Sequence, residues 1–237
     1  MTIFGPGRMS ILFLTGLVLA CIWAGPSAHG GEKYYISILG SQSSPKIPRY
    51  THTWATFIRA TGEGEDHSKY QVEYFTISWL PASLKVRSFR LAEPGINLDL
   101  QATFNFVLSQ DQQISEWGPF QIPSVFYERA LEQKSLLEGG TILYKAVDPN
   151  FGPRARYISN CIHAITDMDP ERGRFYYWEL RRFGKAASHF AAHQVFYRSP
   201  EVDPDEDLDW IEERLGFHEY PIIHRPLPYH RCFFFDR

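Results

Sequence analysis

The chain reads as an α+β fold, an antiparallel sheet with packed helices. Three observations point there. Strand-like stretches rich in Thr, Trp, Phe and Ile are grouped early, and segments with helical spacing are mixed in later. In addition, 44% of the 237 residues are hydrophobic and 16% aromatic, enough to bury one sizeable core and to exclude global disorder.

Taken in order, residues 32–39 read as a first strand, and residues 42–49, with Pro45 and Pro48, as a loop. Residues 51–60 form a strand, the polar tip TGEGEDHSK follows, and residues 70–79 return, so a long hairpin is expected. The alternation over 84–91 predicts a further strand, and Asn97 is placed to cap a helix over 98–110. Ser124 opens a clearer helix to Glu138, stopped by Gly139-Gly140. Residues 141–147 read as strand. A helix begins at Ser159 or Asn160 and stops before Pro170. Further helices cover 184–197, with Ala187, Phe190, Ala191 and Val195 at helical spacing, and 207–215, ended by Gly216. The closing YPIIHRPLPYH is irregular, and HRCFFFDR is either a buried strand or an exposed apolar patch.

Residues 1–28 carry an export signal or membrane anchor. A lone charge at Arg8, an apolar run over 11–23 and the small-residue exit Gly25, Pro26, Ser27 and Ala28 are what a secretory signal requires. The run is shorter than the ~20 apolar residues of a spanning helix. Cleavage near Ala28 is favoured. Lipidation at Cys21, after Val18-Leu19-Ala20, is the second reading, weakened by the bulk of Leu19, and a retained anchor is the third. Residues 30–237 then form one domain, periplasmic or secreted, or held at the membrane through its N-terminus. The net charge of -3 argues against nucleic acid as the main partner.

Chemistry concentrates in YISNCIHAITDM. Ser159 or Asn160 as N-cap puts Cys161 in the first helical turn, where free N–H groups and the helix dipole favour a thiolate. A thiolate nucleophile needs a base in reach. His52, opening the 51–60 strand, can project toward a neighbouring helix. Glu73, Thr76 and Ser78 on the returning strand are the choices for orienting the imidazole.

That layout, a His on one strand, a polar group on the next and an Asn-Cys helix start about a hundred residues later, resembles the circularly permuted papain-like hydrolases. These include NlpC-type peptidases and the lecithin–retinol acyltransferase branch, whose NCEH is similar to NCIH here. The resemblance implies a permuted papain-like fold, with Cys161 as nucleophile and His52 as base; of the three choices on the returning strand, Glu73 is taken as the orienting group. The substrate would be a small molecule, a peptide or an envelope component, with Asn160, His163 and Trp54 as the candidate contacts. HTWATF, ISWLP, YKAVD, NCIHA and YPIIHR also resemble an uncharacterised family of exported bacterial proteins. In that family's pattern a His stands where this chain has Phe75, a departure at the orienting position that puts activity in question.

The rival reading is structural. Cys161 and Cys232 form a disulfide in an exported, non-catalytic envelope protein. His189 and His193, one helical turn apart, lack the Glu of a zinc-peptidase motif and would need His163 or His224 to complete a site. The acidic alternation Asp203, Asp205, Asp207 and Asp209 misses the Gly and the Glu of a calcium loop. Trp54, Trp79, Trp117, Trp178 and Trp210 supply core by default, or a carbohydrate-stacking surface. No metal site and no cofactor is assigned.

Overall fold

The structure, a computed structural model, describes residues 31–64, 66–149, 155–168, 183–198, 202–203 and 206–226. The signal-like segment, Cys21, Trp178, Asp205, Cys232 and the HRCFFFDR string lie outside them. Among the described residues no helix is long and apolar enough to cross a membrane.

The fold is α+β. A long meander begins with β1 (Gly31–Gln42), β2 (Thr51–Gly62) and β3 (Gln71–Ile77), each antiparallel to the last. Two short strands follow, β4 (Trp79–Pro81) and β5 (Glu93–Asn97), then helix α1 (Leu100–Leu108) and strand β6 (Gln113–Ile122). Helix α2 (Ser124–Glu138) leads to the two-residue strands β7 (Leu143–Tyr144) and β8 (Ile158–Ser159). Then come α3 (Cys161–Thr166), α4 (Lys185–Arg198), α5 (Asp209–Leu215) and β9 (Ile222–His224). The main sheet has the order β3-β2-β1-β6-β9, and a small sheet the order β4-β5-β7-β8.

Both faces of the main sheet are covered, which is why β1 and β2 are buried almost residue by residue rather than alternately. On one face Tyr35, Leu39, Trp54 and Ile58 pack against Leu100, Phe104 and Val107 of α1 and Ile211 and Leu215 of α5. The α1 residues recur at i, i+4 and i+7, one stripe of a helix. On the other face Ile36, Ile38, Ala55 and Phe57 meet Tyr127, Ala130 and Leu137 of α2, Ala164 and Ile165 of α3, and Ala191 and Ala192 of α4. The small sheet adds Trp79 and Tyr144 to that second core. Each large apolar side chain buried this way contributes about 1.5–3 kcal/mol.

Small residues let α4 lie close on the sheet. Ser188 Oγ is 3.0 Å from both Leu39 O and Thr53 Oγ1. A Cβ on Gly40 would stand 2.0 Å from Ser188 Oγ and 2.6 Å from its Cβ. Gly40→Ala must push α4 off β1, so we expect a loss of about 1–3 kcal/mol. The check is a lower urea midpoint with an unchanged m-value.

Several sequence expectations need correction. Residues 84–91 are not a strand. Leu84 turns at a φ of 52°, Phe89 and Leu91 are among the most exposed apolar side chains, and β4 takes β5 as its partner instead. Asn97 is not the α1 cap. It lies in β5, where its Oδ1 accepts the Ser78 N–H at 2.7 Å, and Asp99 caps α1 by accepting from Ala102 N. Of the strand expected over 141–147, only Leu143–Tyr144 forms. Ile222–His224, within the stretch read as irregular, is a strand parallel to β6.

Candidate functional site

Cys161 opens α3 as expected, and the local chemistry explains why. β8 pairs in parallel with β7, delivering the chain at Ser159 beside Tyr144. Asn160 then turns out of the strand with φ -98° and ψ -179°, and its Oδ1 accepts both the Ile162 and His163 N–H groups at 2.9 and 2.8 Å. Two of the helix's first N–H donors are satisfied by this one cap.

Asp148 holds the cap in turn. One carboxylate oxygen accepts Asn160 N–H and the other Asn160 Nδ2, both at 3.0 Å. His163 Nδ1 lies 2.8 and 2.9 Å from the same two oxygens. Asp148, Asn160 and His163 are all buried, so a carboxylate, an amide and an imidazole form one hydrogen-bonded unit behind Cys161. Asn160 and His163 therefore organise the helix start; of the two expected substrate contacts, His163 is fully buried and off the cavity, while Asn160 also borders it.

Cys161 is partly exposed and borders a cavity of about 80 Å³, whose wall includes Thr51, His52, Tyr144, Asn160 and Gly184. At roughly 30 Å³ per water this is room for two or three waters. It is far below the ~300 Å³ at which pockets begin to enclose drug-sized ligands. Tyr144 is held well above its ordinary pKa, by burial first and then by the neighbouring Cys161 and Asp148 charges, so its hydroxyl stays protonated.

His52 borders the same cavity, but its imidazole does not pair with Cys161. The ring stacks on Trp54 at 5.4 Å, and Trp54 meets Phe104 of α1 edge-on. Nε2 lies 2.8 Å from Ser78 Oγ, while the buried Nδ1 has no hydrogen-bond partner. Strand alternation gives His52 the side of Trp54 and Ile58, the α1 face, whereas α3 packs with Ala55 and Phe57 on the other. The His52 ring is thus hydrogen-bonded to Ser78 and not to Cys161, where a Cys161–His52 pair was expected. Burial pulls the His52 pKa down to about 3, so the ring is neutral at neutral pH.

The remaining assignments separate similarly. Glu73 is ion-paired with Arg59 at the exposed end of the hairpin. Arg59 stands seven residues from His52 along β2, or about 23 Å at strand rise, so Glu73 cannot orient that imidazole. Ser78 is the group that touches it. Trp54 is fully buried and belongs to the core, not to a substrate platform. Phe75 stacks on Phe57 at 5.2 Å, on the face away from the His52 ring. Asp148 and Tyr144 were not singled out by sequence reasoning. The available signal was their position in YKAVD, a short strand and its exit before an Asn-Cys helix start. Comparison with family models, with curated proteins and with solved structures returns no match.

Proposed function

We propose that the protein is an exported thiol hydrolase or acyltransferase acting on amide or ester bonds of the cell envelope, with Cys161 as nucleophile. The observation that carries this reading is the position of Cys161, at the start of α3 and open to a small cavity that also meets the protonated Tyr144. In the reaction the thiolate adds to the carbonyl carbon. The C–N or C–O bond breaks, and the departing amine or alcohol takes up the proton lost by the thiol. Water or another acceptor then cleaves the thioester and restores the thiol. The cavity admits only a few heavy atoms, which suits a carbonyl presented at the end of a substrate lying outside.

The test is covalent trapping. Incubation with p-nitrophenyl acetate is expected to leave one acetyl group on Cys161, absent in Cys161→Ser, and iodoacetamide should label Cys161 faster than Cys232. No adduct, together with labelling no faster than that of an unfolded thiol, overturns the proposal. The second reading, a non-catalytic envelope protein bridged between Cys161 and Cys232, is favoured by one observation: His52 Nδ1 makes no hydrogen bond to Cys161. Recovery of a Cys161–Cys232 peptide without reduction would establish it.

A further inference from the structure

Away from the Cys161 cavity, three ionisable side chains from three elements converge where β6, β9 and α5 meet. Glu116 stands opposite Leu39 in the β1–β6 register and beside His224 in the β6–β9 register, so both point to the α5 face of the sheet. His224 Nδ1 is 2.8 Å from Glu116 Oε2 and 3.3 Å from Glu212 Oε1, and one donor atom from each of the three lies within 4.8 Å of the others.

The environment of Glu116 is the second observation. Its side chain is fully buried. Oε1 accepts the Ser37 hydroxyl, but Oε2, aimed at the other two groups, has no hydrogen-bond partner despite its closeness to His224 Nδ1. A carboxylate oxygen in a sheet interior is costly unless a positive charge sits against it. In the metal-free protein the protonated His224 ring, 2.8 Å away, supplies that charge, and a metal ion held by the same three side chains would take the place of its Nδ1 proton. Arg225 does not serve, since its Nε bonds Ser115 Oγ, one residue out of alternation with Glu116.

We propose that Glu116, Glu212 and His224 form a binding site for a divalent transition-metal ion, Zn²⁺ in the first place. Ligands about 2.0–2.2 Å from a tetrahedral Zn²⁺ lie about 3.4 Å from one another, close to the spacing of His224 with its two carboxylate neighbours. One imidazole and two carboxylates suit Zn²⁺, Mn²⁺ or Fe²⁺, whereas Ca²⁺ and Mg²⁺ select all-oxygen sets. Two carboxylates neutralise the ion, Ser37 fixes the buried one from behind, and the half-exposed His224 leaves a path from solvent and a fourth position for water. The site is independent of the chemistry proposed for Cys161.

The experiment is a titration of tag-free, chelator-treated protein with Zn²⁺ by calorimetry, and with Co²⁺ read by its visible absorption. One equivalent of Zn²⁺ and the strong bands of tetrahedral Co²⁺ are expected. His224→Ala and Glu212→Gln, both at the rim, should each weaken Zn²⁺ by about 100-fold or more, since losing a direct ligand exceeds the 10–100-fold effect of losing an outer partner. These two carry the test even if Glu116→Gln fails to fold. His189→Ala should leave the affinity unchanged. Absence of binding, or binding that His224→Ala and Glu212→Gln leave intact, overturns the site. Loss of binding with His189→Ala alone moves it to α4 and equally overturns it.

Discussion

Asp148→Ala is expected to lower the unfolding free energy by about 2–4 kcal/mol, the cost of taking the shared acceptor out of a buried hydrogen-bond network. The carboxylate meets the Asn160 N–H, the Asn160 amide and the His163 ring at once. Without it, donors already withdrawn from water are left unsatisfied, at about 1–3 kcal/mol for such a group. Asn160 also loses the contacts that aim its Oδ1 at the start of α3, a cap worth about 1 kcal/mol by itself. Asp148→Asn keeps one carbonyl acceptor and should lose less. Urea unfolding at neutral pH measures both, and a loss below about 1 kcal/mol for Asp148→Ala would show that the network is not what holds this corner.

The second large effect is on acid stability. The folded state holds the His52 pKa at about 3, well below the unfolded value near 6.5, because the buried ring has no charge partner. Between those values the unfolded chain binds the extra proton, so stability rises with pH. The contribution is present in full above about pH 6.5 and is lost as pH falls toward 3, at about 1.4 kcal/mol per pH unit at most. His224 acts in the opposite sense. The Glu116 carboxylate beside it raises its pKa to about 9, so its contribution is present below about 6.5 and is lost as pH rises through 9. The difference between wild type and His52→Asn isolates the first term. Wild type should lose urea stability steadily from pH 6.5 to 4.5, and the variant should show a clearly shallower slope. Parallel slopes would mean that His52 titrates normally in the folded protein.

The sequence displayed the hairpin and the helices more readily than the edges of the sheets. The Tyr35–Leu39 and Trp54–Ile58 runs and the Ser124 and Gly216 punctuation are local signals, and the structure places elements there. The 84–91 alternation is equally local, but a strand needs a partner and none pairs with it. β6 is interrupted by Gly118-Pro119, where the β1 register shifts, and β9 is three residues among prolines, so neither has a pattern of its own. At the site, the Asn160 cap and the helix start at Cys161 were legible because capping is a short-range preference. The side toward which His52 points was not. It depends on the register of three strands and on which helix covers which face, information spread from Ile36 to Leu215. Asp148 was hidden for the same reason, since its partners become visible only once β7 and β8 pair.

The parallel pairing of β9 with β6 also sets an order of assembly. Ser115 and Ile223 are neighbours in space but more than a hundred positions apart in the chain, and Arg225 donates its N–H to Glu116 O across that gap. The hairpins of β1, β2 and β3 can close as soon as their own residues are available, because their loops are short. The outer border of β6 has no such option. Until α5 and Ile222–His224 arrive, its backbone groups face water or another chain's strand, a state open to mispairing between copies. Contacts of such separation close slowly, since the entropy of the intervening segment is lost before any bond forms. The interval before β9 docks is thus the period when this sheet is most open to the wrong neighbour, and a chain emerging from a ribosome passes through it every time.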